Sequence, residues 1–200
     1  LLAGDHLFVS KFSYGYSRNS LPFRWNLFSG RILFRQPQRG DVVVFKVPRD
    51  PSIDYIKRLI GLPGDKIQMR GGTLYINDAP VPKRRVASFI DVEYGQRVRI
   101  VRFEETLPNG VKYFVLDSAD TYQDNTAIYR VPERHYFAMG DHRDNSTDSR
   151  DLQSVGYIPE ENLVGRAEWI SISFDSDPSI KPSLGTSTVR SERFGLSISP

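Results

Sequence analysis

RGDVVVFKVPRDPSIDYIKRLIGLPGDKI, residues 39–67, is the stretch that decides the fold class. Asp41 to Val47 is an unbroken apolar run of strand length, the pattern of a strand buried on both faces. Tyr55 to Ile60 is a second such run. Gly40-Asp41 leads into the first run and Gly61-Leu62-Pro63-Gly64-Asp65 follows the second, and these are turn residues. Two strands joined by a short connection therefore form the centre from which the rest is read.

Further short strands are expected on either side. They are His6 to Phe12, Thr73 to Ile76, Arg97 to Phe103, Val111 to Leu116, Ala127 to Val131, Tyr136 to Met139 and Ala167 to Phe174. Only Ser149 to Val155 and Pro159 to Leu163 suggest helical turns. Many short strands punctuated by Gly and Pro indicate a mostly β protein, a complex of antiparallel sheets or a partly open barrel. The middle is more polar than its flanks and reads as an inserted β subdomain. The expected division is a discontinuous catalytic core at 1–65 and 135–175, an insertion at 66–134 and a tail at 176–200. Ser17 to Gln38 reads as a long loop or ribbon with exposed Phe23, Trp25, Phe28 and Phe34. The Ser/Pro-rich tail is expected to be loose until Phe194.

Composition removes several function classes. Hydrophobic residues at 39% and charged residues at 26% are the balance of a globular chain. A net charge of +3, with basic residues scattered, gives no stripe for nucleic acid. The absence of cysteine excludes disulfides, thiolate zinc sites and thiol catalysis. No apolar run approaches the ~18–20 residues of a spanning helix. The chain opens on Leu1 rather than Met and is read as a fragment, with room for an anchor upstream.

Two segments carry chemistry. Alternation in the second strand puts Tyr55, Lys57 and Leu59 on one face and Ile56, Arg58 and Ile60 on the other. A lysine among apolar neighbours loses hydration, which lowers its pKa and fits it for general-base work. The alternative is a lysine that snorkels from a half-exposed strand. The second segment is Gly140 to Arg150, GDHRDNSTDSR, where acids, arginines and hydroxyls crowd a strand end. Such density requires pairing of Asp with Arg and of Ser or Asn with backbone. A calcium loop on Asp144, Ser146 and Asp148 fails, because Ser149 and Val155 stand where Gly and Glu are needed. A triad of Ser146, His142 and Asp148 lacks the separate scaffolding such triads use. A metal site on His135, Asp141 and His142 has no recognisable spacing.

In order along the chain, four runs resemble the bacterial type I signal peptidases, the leader peptidases. They are LLAGDHLFVSKFSYG at Leu1–Gly15, the opening quotation at Arg39–Ile67, YFAMGDHRDNSTDSR at Tyr136–Arg150 and NLVGRA at Asn162–Ala167. The resemblance implies a serine–lysine endopeptidase that removes N-terminal signal peptides from secretory precursors. In that family the nucleophilic serine lies just before the segment matched by Leu1, so the chain as given lacks it. Lys57 matches the general base and Ser146 the hydroxyl that orients it. Asp141, Arg143, Asp148 and Arg150 match residues that brace the loop. Leu1, Val44, Tyr55 and Ile56 match the pockets for small substrate side chains.

The exposed aromatics Phe23, Trp25 and Phe28 suit a lipid interface, with ordinary loop packing as the alternative. The resemblance further implies no metal or cofactor, no nucleic acid, and a place at the outer face of the bacterial inner membrane. His142 departs from the Asn usual there. Other readings remain open at this point. They are a serine–lysine peptidase of the conjugative-transfer or self-cleaving repressor kind, and an inactive β-rich binding module.

Overall fold

A computed structural model describes residues 1, 4–17, 31–93, 96–174 and 189–198. It contains strands and short 3₁₀ turns, with no α-helix among the described residues. The central sheet has six strands, in the spatial order Asp5–Ser10, Leu163–Ser173, Val42–Lys46, Asp54–Gly61, His135–Met139 and Ile158–Pro159. All neighbours are antiparallel. The two runs of the opening stretch lie side by side, with Val43 opposite Lys57 and Val42 opposite Arg58.

Both faces of the centre of this sheet are covered, as the unbroken apolar run requires. Val43, Phe45, Leu59, Tyr136, Ala138 and Leu163 belong to one buried cluster. Ile60, Phe137 and Met139 join Ile67, Leu74, Leu107 and Val115 in another. The second cluster draws side chains from both the central sheet and the smaller sheets of the middle region.

Those smaller sheets are antiparallel and open, and none closes into a barrel. One holds Tyr129–Arg130, Lys66–Arg70, Thr73–Ile76 and Ala79–Pro80; another holds Lys112–Leu116, Arg102–Thr106 and Lys83–Arg85. Phe89–Glu93 and Gln96–Ile100 form a two-stranded ribbon. Thr73–Ile76 occupies its expected position because two-residue turns flank it. Gly71 and Gly72 have φ of 52° and 70°, and Asn77 and Asp78 have 52° and 65°. Two successive positive φ values suit the right-handed twist of a hairpin, and Gly and Asn tolerate them best.

Several expectations need correction. The single strand expected at Arg97 to Phe103 is two strands. The backbone of Val101 leaves the ribbon, its N–H donating to Ser118 Oγ at 2.8 Å and its carbonyl accepting from Asp117 N at 3.1 Å. Ser149 to Val155 forms turns rather than helix, because Asp151 gathers the N–H groups of Gln153 and Ser154 on its carboxylate. Pro159 to Leu163 contains one 3₁₀ turn, Glu160–Asn162. Residues 175–188 of the tail expected to be loose lie outside the described residues, but from Val189 the chain is held before Phe194. Val189 bridges Phe174, and the N–H groups of Arg190 and Gly195 donate to Ser173 at 2.8 Å and Ile170 at 2.9 Å. Phe23, Trp25 and Phe28 lie outside the described residues, and Phe34 is exposed.

One buried ion pair joins the middle region to the strand-end loop. Arg143 donates to both carboxylate oxygens of Glu105, at 3.1 and 2.6 Å, with the two side chains 1% and 0% exposed. Tyr113 donates its hydroxyl to the same carboxylate at 2.6 Å. Removing one member strands the other charge in a dry interior, which costs about 3–5 kcal/mol. Glu105→Ala is expected to lose that much in urea unfolding, and the double replacement Glu105→Leu with Arg143→Met to lose less. A single variant no worse than the double would show that the charge pairing is not what holds the loop.

Candidate active site

Lys57 sits on the strand Asp54–Gly61, half-buried, opposite Val43. Its ammonium lies 5.3 Å from the centre of the Tyr55 ring, on the shared face that alternation assigned. Nζ donates to Ser146 Oγ at 2.8 Å across 89 residues of sequence. Burial pushes the Lys57 amine down from the ordinary lysine value. The Asp148 carboxylate opposes this, Arg150 adds to it and Asp141 opposes it. Among the described residues, Lys57 has no carboxylate within ion-pairing distance.

Ser146 follows the 3₁₀ turn Arg143–Asn145, in the loop that leaves the strand at Gly140. Gly140 is required by close approach. A Cβ there would overlap Ser146 Oγ, lie 2.5 Å from Ser146 Cβ and come within 3.6 Å of Lys57 Nζ. The loop is braced from several sides. Asp148 receives Gly140 N–H at 2.9 Å and a two-point bond from Arg150 at 2.9 Å. Arg150 also donates to the Arg143 carbonyl at 2.7 Å. Ser149 Oγ accepts from Ala138 N–H at 3.0 Å.

The pairing expected inside the loop is thus found for Asp148 and Arg150. Asp141 and Arg143 pair outside it. Asp141 takes a two-point bond from Arg58 at 2.9 and 2.8 Å, and Arg143 takes Glu105. Arg58 itself, 9% exposed, lies over the Tyr113 ring at 4.6 Å. Sequence reasoning passed over Arg58 and Glu105. The usable signal was a guanidinium on the buried side of an apolar strand, which demands a partner.

The competing constellations do not assemble. Both oxygens of Asp148 are taken by Arg150, and one also by Gly140, leaving neither to orient a histidine. His135 Nδ1 lies 2.8 Å from the Glu133 carbonyl, at the far end of its strand from Asp141, and Asp141 is committed to Arg58.

A cleft of ≈ 160 Å³ opens over Lys57 and Ser146, lined among others by Leu1, Ile56, Gly140 and His142. Leu1 and Ile56, two of the residues expected to form substrate pockets, line this cleft. Val44 and Tyr55 are not part of this lining. Val44 pairs with Ile56 across the ladder, and Tyr55 packs edge-on to Phe45 at 6.3 Å. A larger groove of ≈ 390 Å³ shares Leu1, Val42, Arg58 and Asp141 with the cleft.

Residues 1–172 match the family described as "Signal peptidase, peptidase S26". The Signal peptidase I of Rickettsia typhi is 45% identical over 183 residues, which is 86% of this chain and 67% of that protein. That of Rickettsia conorii is 45% identical over 182 residues, 86% of this chain and 66% of that protein. The chain therefore spans about two thirds of the length of these relatives. A solved signal peptidase I from Enterococcus faecalis V583 aligns at 26% identity and a TM-score of 0.40, covering 66% of this chain and 97% of that one. The match over residues 1–172 and the level of identity place the chain in the signal peptidase family, peptidase S26.

Proposed function

We propose that this chain is the hydrolytic part of a membrane-associated serine endopeptidase that removes signal peptides from secreted precursors, with Lys57 as its general base. The observation that carries the reading is a half-buried amine, unpaired with any carboxylate among the described residues, held at 2.8 Å by the Ser146 hydroxyl. The nucleophilic serine comes from residues ahead of Leu1, whose side chain already borders the cleft.

Neutral Lys57 accepts the serine hydroxyl proton as the oxygen attacks the scissile carbonyl. The tetrahedral intermediate collapses, Lys57 returns the proton to the departing amine, and an acyl-enzyme remains. Water then attacks the ester, giving its proton to Lys57, and the serine is regenerated. Ser146 positions the amine, while Asp141, Arg143, Asp148 and Arg150 hold the loop that presents Ser146. Leu1 and Ile56 favour small side chains near the scissile bond, with Val44 and Tyr55 supporting the strand beneath.

The precursor lies extended beside Asp54–Lys57, a stretch that the next strand leaves unpaired because its pairing begins only at Arg58. Backbone bonding to a free sheet edge holds peptides of varied sequence. The lipid surface is met by exposed apolar groups, including Phe8 stacked on Trp169 at 4.3 Å, at the outer face of the bacterial inner membrane. Residues 1–65 and 135–175 form the catalytic unit, 66–134 an insertion and 176–200 a tail.

Lys57→Met in the full-length enzyme is expected to reduce precursor cleavage by roughly 10²–10⁴-fold with an unchanged melting curve. Cleavage at the normal rate would remove Lys57 from the role of base. Burial lowers the folded-state pKa, so the acid limb of kcat/KM should lie below the free-lysine value of ~10.4, with activity rising as pH rises through it. A limb at or above that value contradicts a desolvated base. The same shift means that the unfolded chain binds the extra proton, so stability also rises with pH across that interval.

Gly140→Ala should cost about 10²-fold in kcat by displacing Ser146, and Ser146→Ala should mimic it while leaving labelling by an acylating inhibitor intact. A Gly140→Ala enzyme of normal rate would show that the lysine–serine contact is dispensable.

A further inference from the structure

Away from the cleft, three carboxylates converge. Ligand oxygens of Asp117, Asp124 and Asp144 lie within 4.8 Å of one another. An acidic cluster alone signifies little, but two features of this one point to a ligand. Asp124 is 5% exposed, and its Oδ1 is buried with no hydrogen-bond partner. Oδ1 of Asp144 is buried and unpartnered as well. Buried polar atoms in native proteins are nearly always satisfied, so such pairs require an explanation.

The second oxygen of Asp124 and of Asp144 is held by backbone. Thr121 N–H donates to Asp124 Oδ2 at 2.5 Å, and Ser118 and Ala119 donate to Asp144 Oδ2 at 2.7 and 3.1 Å. Each carboxylate is thus oriented by one oxygen while it presents the other, which is how outer contacts orient metal-binding acids. The free oxygen of Asp124 points toward its neighbours. A Cβ built on Gly72 would lie 3.8 Å from Asp124 Oδ1 and 3.6 Å from Asp117 Oδ2. Lys83 donates to Asp117 and to the Gly72 carbonyl. One ammonium against three carboxylates leaves a local charge of −2.

We propose that Asp117, Asp124 and Asp144 form a site for a divalent cation of the calcium type, tying the Ser146 loop to the sheets of residues 66–134. Hard oxygen donors suit calcium, which tolerates irregular coordination better than magnesium does. Asp144 lies in the turn that delivers Ser146, so an ion here fixes that turn in addition to the Arg143–Glu105 pair. The site stands on its own residues and does not depend on the catalytic assignment of Lys57.

The test uses the purified protein titrated with Ca²⁺ alone, followed by calorimetry and thermal melting. One ion per chain is expected, with Kd on the order of 10⁻⁴–10⁻³ M and a rise in Tm of roughly 2–4 °C at saturation. Mg²⁺ should bind more weakly. Asp124→Asn keeps the backbone-facing oxygen and should weaken binding at least ~10-fold, as expected when a charged ligand is lost. Lys83→Met removes the competing ammonium and should tighten binding, which keeps the test open if Asp124→Asn does not fold. Absence of both heat and Tm shift at about 10 mM Ca²⁺, above the weak end of that range, overturns the proposal. So does binding that Asp124→Asn and Asp117→Asn leave intact. Binding confined to Lys83→Met also overturns it, since the lysine would then be the resident cation of the cluster.

Discussion

An amine that is to work uncharged cannot be given a carboxylate of its own. Among the described residues no carboxylate stands within ion-pairing distance of Lys57, although Asp148 and Asp141 both act on its charge. Asp148 is claimed by both nitrogens of the Arg150 fork and by Gly140 N–H. Asp141 is claimed in the same two-point way by Arg58. Arg150 works against the effect of Asp148 on the lysine, and each arginine holds its acid in a two-point geometry. Burial then governs the amine, and the direction of its shift follows from desolvation rather than from pairing. What remains for Nζ is a neutral hydroxyl, which aims it without restoring its charge.

The same arginines set the shape of the loop. Buried ion pairs add little net stability compared with apolar residues of the same volume, but breaking one is costly. Their value here is geometric. Arg150 reaches back to the Arg143 carbonyl, and Arg143 crosses to Glu105 on the three-stranded sheet of the middle region. The position of Ser146 is therefore set by contacts to the central sheet through Ser149 and Ala138, and to the middle region through Glu105. The shared apolar cluster around Ile60, Ile67, Leu107 and Phe137 packs those two regions against each other.

Some of this is legible in the chain and some is not. Asp41 to Val47 and Tyr55 to Ile60 were readable because an apolar run bounded by turn residues admits few conformations, and Thr73 to Ile76 because Gly-Gly and Asn-Asp bracket it. Lys66–Arg70 escaped notice: KIQMR alternates, but its apolar members are only Ile67 and Met69, and both are buried. The break at Val101 depends on Ser118, a contact that no local pattern encodes. Alternation placed Lys57 beside Tyr55 but could not say what stood opposite its amine. The Ser146 partner, 89 residues away, came only through resemblance to a family. Arg58 and Glu105 were missed for the same reason, since a charge in an apolar strand announces a partner without naming it.

The cleft itself results from a ladder that stops early. Met139 pairs with Arg58, and the next step would set Gly140 against Lys57. Instead the Gly140 N–H turns to Asp148 Oδ2 at 2.9 Å, so a carboxylate substitutes for the missing strand partner and the chain peels away. Three consequences follow from that one exchange. Asp54–Lys57 keeps an edge that no strand pairs among the described residues, the departing loop curls back to bring Ser146 over Lys57, and the absence of a side chain at Gly140 leaves room for the hydroxyl to reach the amine. A longer ladder would have closed that edge with backbone. A shorter one would have removed Arg58 from Asp141 and left that acid free to protonate and pair with the amine it now leaves alone.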